Sequence, residues 1–196
     1  LTKSWESYID AGKKAKAATG AYMLGNALDI KDIYIRSSLK DGDGIYFDKK
    51  GNPLVTTPRF VKAFELAKAA RSAGIDGKIA AWSNEWSEGF KRDKIATQMM
   101  GGWLAGHLDN WLAPDQKGKW RSAQLPNGAY GFWGGSFYAI PKQAKIKAAA
   151  WDFIQFLTFN KEMQLTALKS QDSFPVLLEA QTDPFISQPM EYLGGH

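Results

Sequence analysis

The side chains in this sequence that could do chemistry are paired carboxylates, a serine beside glycines, an internal histidine and tryptophans set at glycine turns. Asp41/Asp43 and Glu85/Glu88 have the spacing of acid pairs, and glycoside hydrolysis needs two carboxylates flanking one bond. Carboxylates beside glycine in turns more often bond the local backbone, so turn chemistry is the favoured reading of these pairs. Ser136 follows Gly134-Gly135, but Gly-Gly-Ser-Phe is not the Gly-x-Ser-x-Gly elbow of a nucleophilic serine. Its internal histidine partner would be His107, which reads as a helix-surface or capping residue. Gly42-Asp43-Gly44 is not followed by the Gly-Lys-Ser/Thr of a phosphate loop, and Asp41-Gly-Asp-Gly lacks the remaining acids of a calcium loop. No catalytic set and no metal site emerges, and no cofactor is expected.

The aromatic residues are more informative. Eight Trp, seven Tyr and eleven Phe occur among 196 residues. Trp103 follows Gly101-Gly102 at a helix start, where backbone N–H groups lack helical partners. Trp133 precedes Gly134-Gly135, where the missing Cβ lets a ligand approach the main chain. An indole face pairs with the C–H face of a sugar ring, and nearby backbone or amide groups can bind its hydroxyls. Trp5, Trp111, Trp120 and Trp151 each sit in an amphipathic pattern and are assigned to packing.

The elements that must position these residues follow from periodicity and caps. Ser4 and Gly20 bracket a helix over 5–18. Residues 44–52 read as a short strand and turn. Thr57-Pro58 opens a helix carrying Phe60, Val61, Phe64, Ala67 and Ala70, which Gly74 ends. A short helix follows Ser83, and residues 94–100 read as a strand. In the helix over 103–112, Leu104, Leu108 and Leu112 form one stripe and Trp103, His107 and Trp111 the adjacent one. Residues 119–125 alternate as a strand, 131–140 read as a loop running into a strand, and helices are expected over 144–159 and 161–169. Short strands mixed with longer helices indicate an α/β protein.

Composition excludes further classes. Cysteine is absent, which removes disulfides, thiolate metal sites and thiol catalysis. Net charge is +5, but the lysines are spread as pairs near acids, so no nucleic-acid partner is expected. No apolar run reaches the length of about 18 residues that suggests a membrane span. The start at Leu1 without a signal segment, and the end at Leu193-Gly194-Gly195-His196, lead us to expect a piece of a longer chain.

These residues also carry a family resemblance. Ser4-Trp5-Glu6, the 44–52 hairpin, Phe90 to Ala96, Met99 to Leu104, Ala113-Pro114-Asp115, Gly118-Lys119-Trp120, Leu125-Pro126, Trp133 to Lys142, Ala150 to Thr158 and Phe174-Pro175-Val176 occur in the order found in a known family. It is that of the extracellular solute-binding proteins of carbohydrate ABC importers, similar to maltose-binding protein. The resemblance implies a type II periplasmic-binding-protein-like α/β fold, with two lobes closing on a ligand by a hinge.

By that resemblance, residues 1–130 form most of the second lobe. Residues 131–173 are the crossover strand and helices of the first lobe, and 174–196 return to the second. It implies a non-enzymatic, extracytoplasmic receptor for a sugar, periplasmic or anchored as a lipoprotein, delivering to permease subunits. The complete protein would be a monomer, while the fragment is open to self-association. Ligand contacts carry over to Trp103 and Gly102, then to Trp133, Gly134, Gly135 and Ser136. Asn26 and Asp29 join them, on a loop after Tyr22-Met23-Leu24. The competing expectations are a glycosidase-like enzyme using an Asp/Glu pair and an interaction module with exposed aromatics.

Overall fold

The computed structural model describes residues 3–195. Leu1 and His196, the ends on which the expectation of a cut chain rests, lie outside the described residues. The chain divides into two compact units: residues 1–101 with 122–133, and residues 102–121 with 134–196.

In the first unit, helix α1 (Trp5–Thr19) starts with a capping box. Ser7 N–H donates to the Ser4 hydroxyl at 3.1 Å, and Ser4 N–H donates to Ser7 Oγ at 3.0 Å. Gly20, at φ +75°, closes the helix in the left-handed region that glycine occupies without strain. The chain then enters a three-segment parallel arrangement. Residues 21–25 lie between 75–79 and 94–97, with Tyr22 bridging Ile95 and Leu24 bridging Asp76. Met23 N–H donates to Ile75 O at 2.9 Å, and Ala96 N–H to Tyr22 O at 2.8 Å. Only one or two residues pair per segment, so the expected strand over 94–100 is a short one.

Helices α2 (Leu28–Ser37), α3 (Pro58–Ser72) and α4 (Asn84–Lys91) surround these segments. The core gathers Trp5, Tyr8, Met23, Leu24, Ile30, Leu66, Ala67 and Ile75, all buried. A Cβ on Gly12 would meet Ile75 Cδ1 and Met23 Cβ at 2.9 Å, so α1 lies close against the parallel segments. The turn at 48–52 also forms as expected, with Asp48 N–H donating to Asn52 O and Leu54 N–H to Tyr46 O.

Helix α2 falls where the sequence predicts a loop around Asn26 and Asp29. Ile30, Ile33 and Tyr34 stand at i, i+3 and i+4, but β-branched residues weaken the helical signal. Residues 119–125 differ in the other direction. Among the described residues they form no strand. Ser122, Ala123 and Gln124 are all exposed, which leaves the alternation no apolar face to bury.

The second unit begins with α5 (Leu104–His107), which widens into a π-type turn over Leu108–Leu112. Leu104, Leu108 and Leu112 are buried together, as their spacing requires. Helices α6 (Lys147–Phe159) and α7 (Lys161–Gln171) follow. Tyr192 is buried and donates its hydroxyl to Ala113 O at 2.7 Å. The packing assigned to Trp111 and Trp151 is not realised: both are about half exposed. Helical phase shows which residues share a face, not whether anything covers it.

Candidate functional site

Open parallel α/β arrangements bind ligands beyond the carboxyl ends of their strands. In the first unit that edge carries Asn26 and Asp29 after one segment and Gln98 after another. Asn26 lies in the short connection before α2, and its Oδ1 accepts from Leu28 N–H at 3.1 Å and from Arg71 Nη2 at 3.3 Å. Arg71 also donates from Nε and Nη2 to Oδ2 of buried Asp76, at 3.0 and 2.9 Å. The same oxygen accepts Ala27 N–H at 3.3 Å, while Asp76 Oδ1 is buried without a partner. An ion pair and a backbone amide thus tie the loop at 26–27 to the adjacent segment.

Asp29 is not on a loop. It occupies the first turn of α2, where the helix dipole favours an acid. Gln98 Nε2 donates to Asp29 Oδ2 at 2.9 Å, and Trp86 Nε1 donates to Gln98 Oε1 at 3.0 Å. Burial pushes the Asp29 carboxyl up to about 6. The bond from Gln98 opposes that rise, Asp32 adds to it and Lys31 opposes it. Beside this group, Thr97 Oγ1 donates to Met23 O at 2.6 Å, so Tyr8 OH is the donor in its 2.7 Å bond to Thr97. Gln98 and Trp86 escaped the sequence reading. An amide followed by Met99-Met100 has no motif, and its role depends on a residue 12 positions away.

Trp133 is half-buried against the first unit's core. The Arg36 guanidinium lies 4.8 Å from its ring centroid and 5.6 Å from that of Phe132. Asp29 and Arg36 stand near the two ends of α2, separated by about 10 Å along its axis. Of the three contacts expected in this unit, Asn26 and Asp29 therefore lie at one end of α2 and Trp133 at the other.

Gly102, Trp103 and Gly134 to Ser136 belong to the second unit. Gly102 is exposed and Trp103 half-buried at the start of α5. The Trp103 ring lies 5.3 Å from His107, and His107 lies 5.6 Å from Trp111, forming an aromatic column along one face. Gly134 and Gly135 have φ of +88° and +114°, a backbone that a side chain would strain. Both glycines and Ser136 are exposed.

A family model described as bacterial extracellular solute-binding protein matches residues 2–192. The chain belongs to that family. It is 27% identical over 202 aligned residues to a lactose-binding protein of Rhizobium radiobacter, covering 98% of this chain and 46% of the relative. The chain thus spans about half the length of the curated relatives it matches. Among solved structures, an extracellular solute-binding protein of family 1 superposes with a TM-score of 0.76 at 28% identity, over 100% of this chain and 49% of the other. An ABC transporter associated binding protein from B. animalis subsp. lactis Bl-04, solved with β-1,6-galactobiose, gives 0.82 at 24% identity, over 100% and 52%. The fold of this solute-binding protein is therefore periplasmic-binding-protein-like, and its named relatives are sugar-binding proteins rather than enzymes.

Proposed function

We propose that this chain belongs to the receptor component of a bacterial ABC importer, binds a sugar or oligosaccharide outside the cytoplasmic membrane and delivers it to the permease. The observation that carries the reading is Trp103. It is a half-buried indole directly after two glycines, at the head of an aromatic column on α5. Gly102 gives a sugar close approach to the main chain there. Gly134, Gly135 and Ser136 offer open backbone in the unit that carries Trp103, and in the other unit Trp133 offers an aromatic face and Asn26 and Asp29 polar contacts. A relative named for lactose binding and a similar structure solved with β-1,6-galactobiose support a carbohydrate as the ligand.

In this reading residues 1–130 are the second lobe, 131–173 the crossover and helices of the first lobe, and 174–196 the return. The character of α6 supports that division. It has no buried residue, and Trp151, Phe153, Phe156 and Phe159 are all exposed on it. So much exposed aromatic surface on one helix is normally covered in a soluble protein.

An enzyme using an acid pair is the weaker reading. Glu88 is held below the usual carboxylate range by hydrogen bonds and ion pairs to Lys91 and Arg92, the opposite of a general acid. Asp43 accepts from Lys40 N–H within its turn. We therefore read the protein as binding without turnover.

The test is a titration of the two-lobe protein and of this chain with lactose, β-1,6-galactobiose and a wider sugar panel, followed by tryptophan emission and calorimetry. Saturable binding of at least one sugar, recovered unchanged, is expected. No response to any sugar, or hydrolysis of the bound one, would overturn the proposal.

A further inference from the structure

A tryptophan indole can only donate, so the 3.0 Å contact from Trp86 Nε1 requires the oxygen end of the Gln98 amide. The NH2 end must then point the other way, at Asp29, 2.9 Å distant. Trp86 is 1% exposed and packs edge-on against Phe90 at 4.6 Å between centroids, so the donor that sets this orientation is itself immobile. Asp29 Oδ2 is consequently committed to Gln98, while among the described residues nothing donates to Oδ1.

The remaining groups around Asp29 do not compete for that role. On α1, the Tyr8 hydroxyl is spent on Thr97. On α2, Lys31 is paired with Asp32 at 2.7 Å. We infer that Gln98 is a positioning residue: held by Trp86, it fixes the Asp29 carboxylate as an oriented hydrogen-bond acceptor facing a hydroxyl of an uncharged sugar. The sugar part rests on the functional reading above, whereas the Trp86–Gln98–Asp29 relay stands on geometry alone. A ligand carrying its own carboxylate is disfavoured at such a group, since two like charges would share one partly desolvated site. The site thus selects neutral sugars over acidic ones.

Two measurements separate the relay from the functional reading. In the ligand-free chain, the Asp29 carboxyl is titrated by carbon NMR in the parent and in the Gln98→Met and Gln98→Glu variants. The parent midpoint is expected near 6. Gln98→Met removes the donor and should raise the midpoint by about one pH unit, while Gln98→Glu adds a like charge and should raise it further. Should one variant fail to fold, the other decides. A midpoint unmoved in the folded variants overturns the positioning role, whatever the protein binds.

Lactose titration then tests the acceptor role. Affinity should be full above pH 6 and decline below it, as Asp29 protonates. Asp29→Asn should lose about tenfold in affinity and the pH dependence with it. A galacturonate-containing disaccharide should bind more weakly than its neutral counterpart. Binding of lactose that Asp29→Asn leaves unchanged overturns the acceptor role, while absence of any sugar binding fails the functional reading and leaves the NMR result to decide Gln98.

Discussion

The Arg36 guanidinium sits 4.8 Å from the centre of the Trp133 indole, and so couples the last turn of α2 to the segment leading into Gly134-Gly135. Arginine over an aromatic face is worth about 0.5–2 kcal/mol, with the larger values where water is excluded. The contact holds down a residue whose neighbours on both sides, Phe132 and Gly134, are exposed. Arg36→Met keeps much of the stem but removes the cation. A double-mutant cycle with Trp133→Leu in urea unfolding should return a coupling of about 1 kcal/mol. A coupling indistinguishable from zero would mean that the indole is held by the core alone.

Helix starts give a sharper contrast. The Ser83 hydroxyl accepts Trp86 N–H at 3.1 Å and caps α4. Thr57 occupies the corresponding place on α3, yet its Oγ1 donates to Leu54 O at 2.7 Å and caps nothing. Ser83→Ala should cost about 1 kcal/mol, as a lost cap does. The Ser83 hydroxyl also donates to Ala80 O at 2.8 Å, so Ser83→Ala loses two bonds, whereas Thr57→Ala loses one and should cost about half as much. Equal losses in thermal unfolding of the two variants would contradict this assignment.

These two starts also show what the sequence made legible. Ser4, Ser83 and Pro58 are local signals, and the helices they announce are present. Leu104, Leu108 and Leu112 lie inside and Trp103, His107 and Trp111 line up beside them, because both stripes follow from helical geometry alone. Helix α2 was not legible, since Ile30, Ile33 and Ile35 carry equal weight as strand formers. Asp29 was picked out as a polar contact while its helical setting was missed. Gln98 could not be found at all, because its importance comes from Trp86 and Asp29, which only the tertiary fold brings to it. The exposure of Trp111 and Trp151 was equally hidden: an amphipathic pattern marks a face without saying what covers it.

Trp103 provides the most direct test of the proposed sugar site. Removing a stacked, partly buried indole should cost about 1.5–3 kcal/mol of binding, roughly 10- to 100-fold in Kd. Leu104, Leu108 and Leu112 carry the buried side of the helix, so Trp103→Ala should still fold, with an unfolding midpoint lowered by the lost ring contact to His107. Isothermal titration of the two-lobe protein with lactose or β-1,6-galactobiose measures the first effect and calorimetric unfolding the second. Unchanged sugar affinity in a folded variant would remove Trp103 from the site.

Asp29 should show opposite effects on stability and on binding. Its folded carboxyl titrates near 6, against 3.8 for the ordinary group, with burial as the leading cause. A carboxyl raised on folding holds its proton more tightly in the native state, so its contribution is most favourable below 3.8. That contribution is lost as pH rises from 3.8 to about 6 and stays lost above. The difference corresponds to on the order of 2–3 kcal/mol at neutral pH. Asn at this position cannot ionise, but its carbonyl can still accept from Gln98. Asp29→Asn should therefore unfold at a higher temperature than the parent at pH 7 and at nearly the same temperature at pH 3.5. The same change should weaken sugar binding at pH 7, because it removes the charged acceptor. A parent protein more stable than the variant at pH 7 would show that the carboxylate is better solvated in the fold than its burial indicates. A destabilised variant that also binds sugar normally would place Asp29 in the scaffold and outside the site.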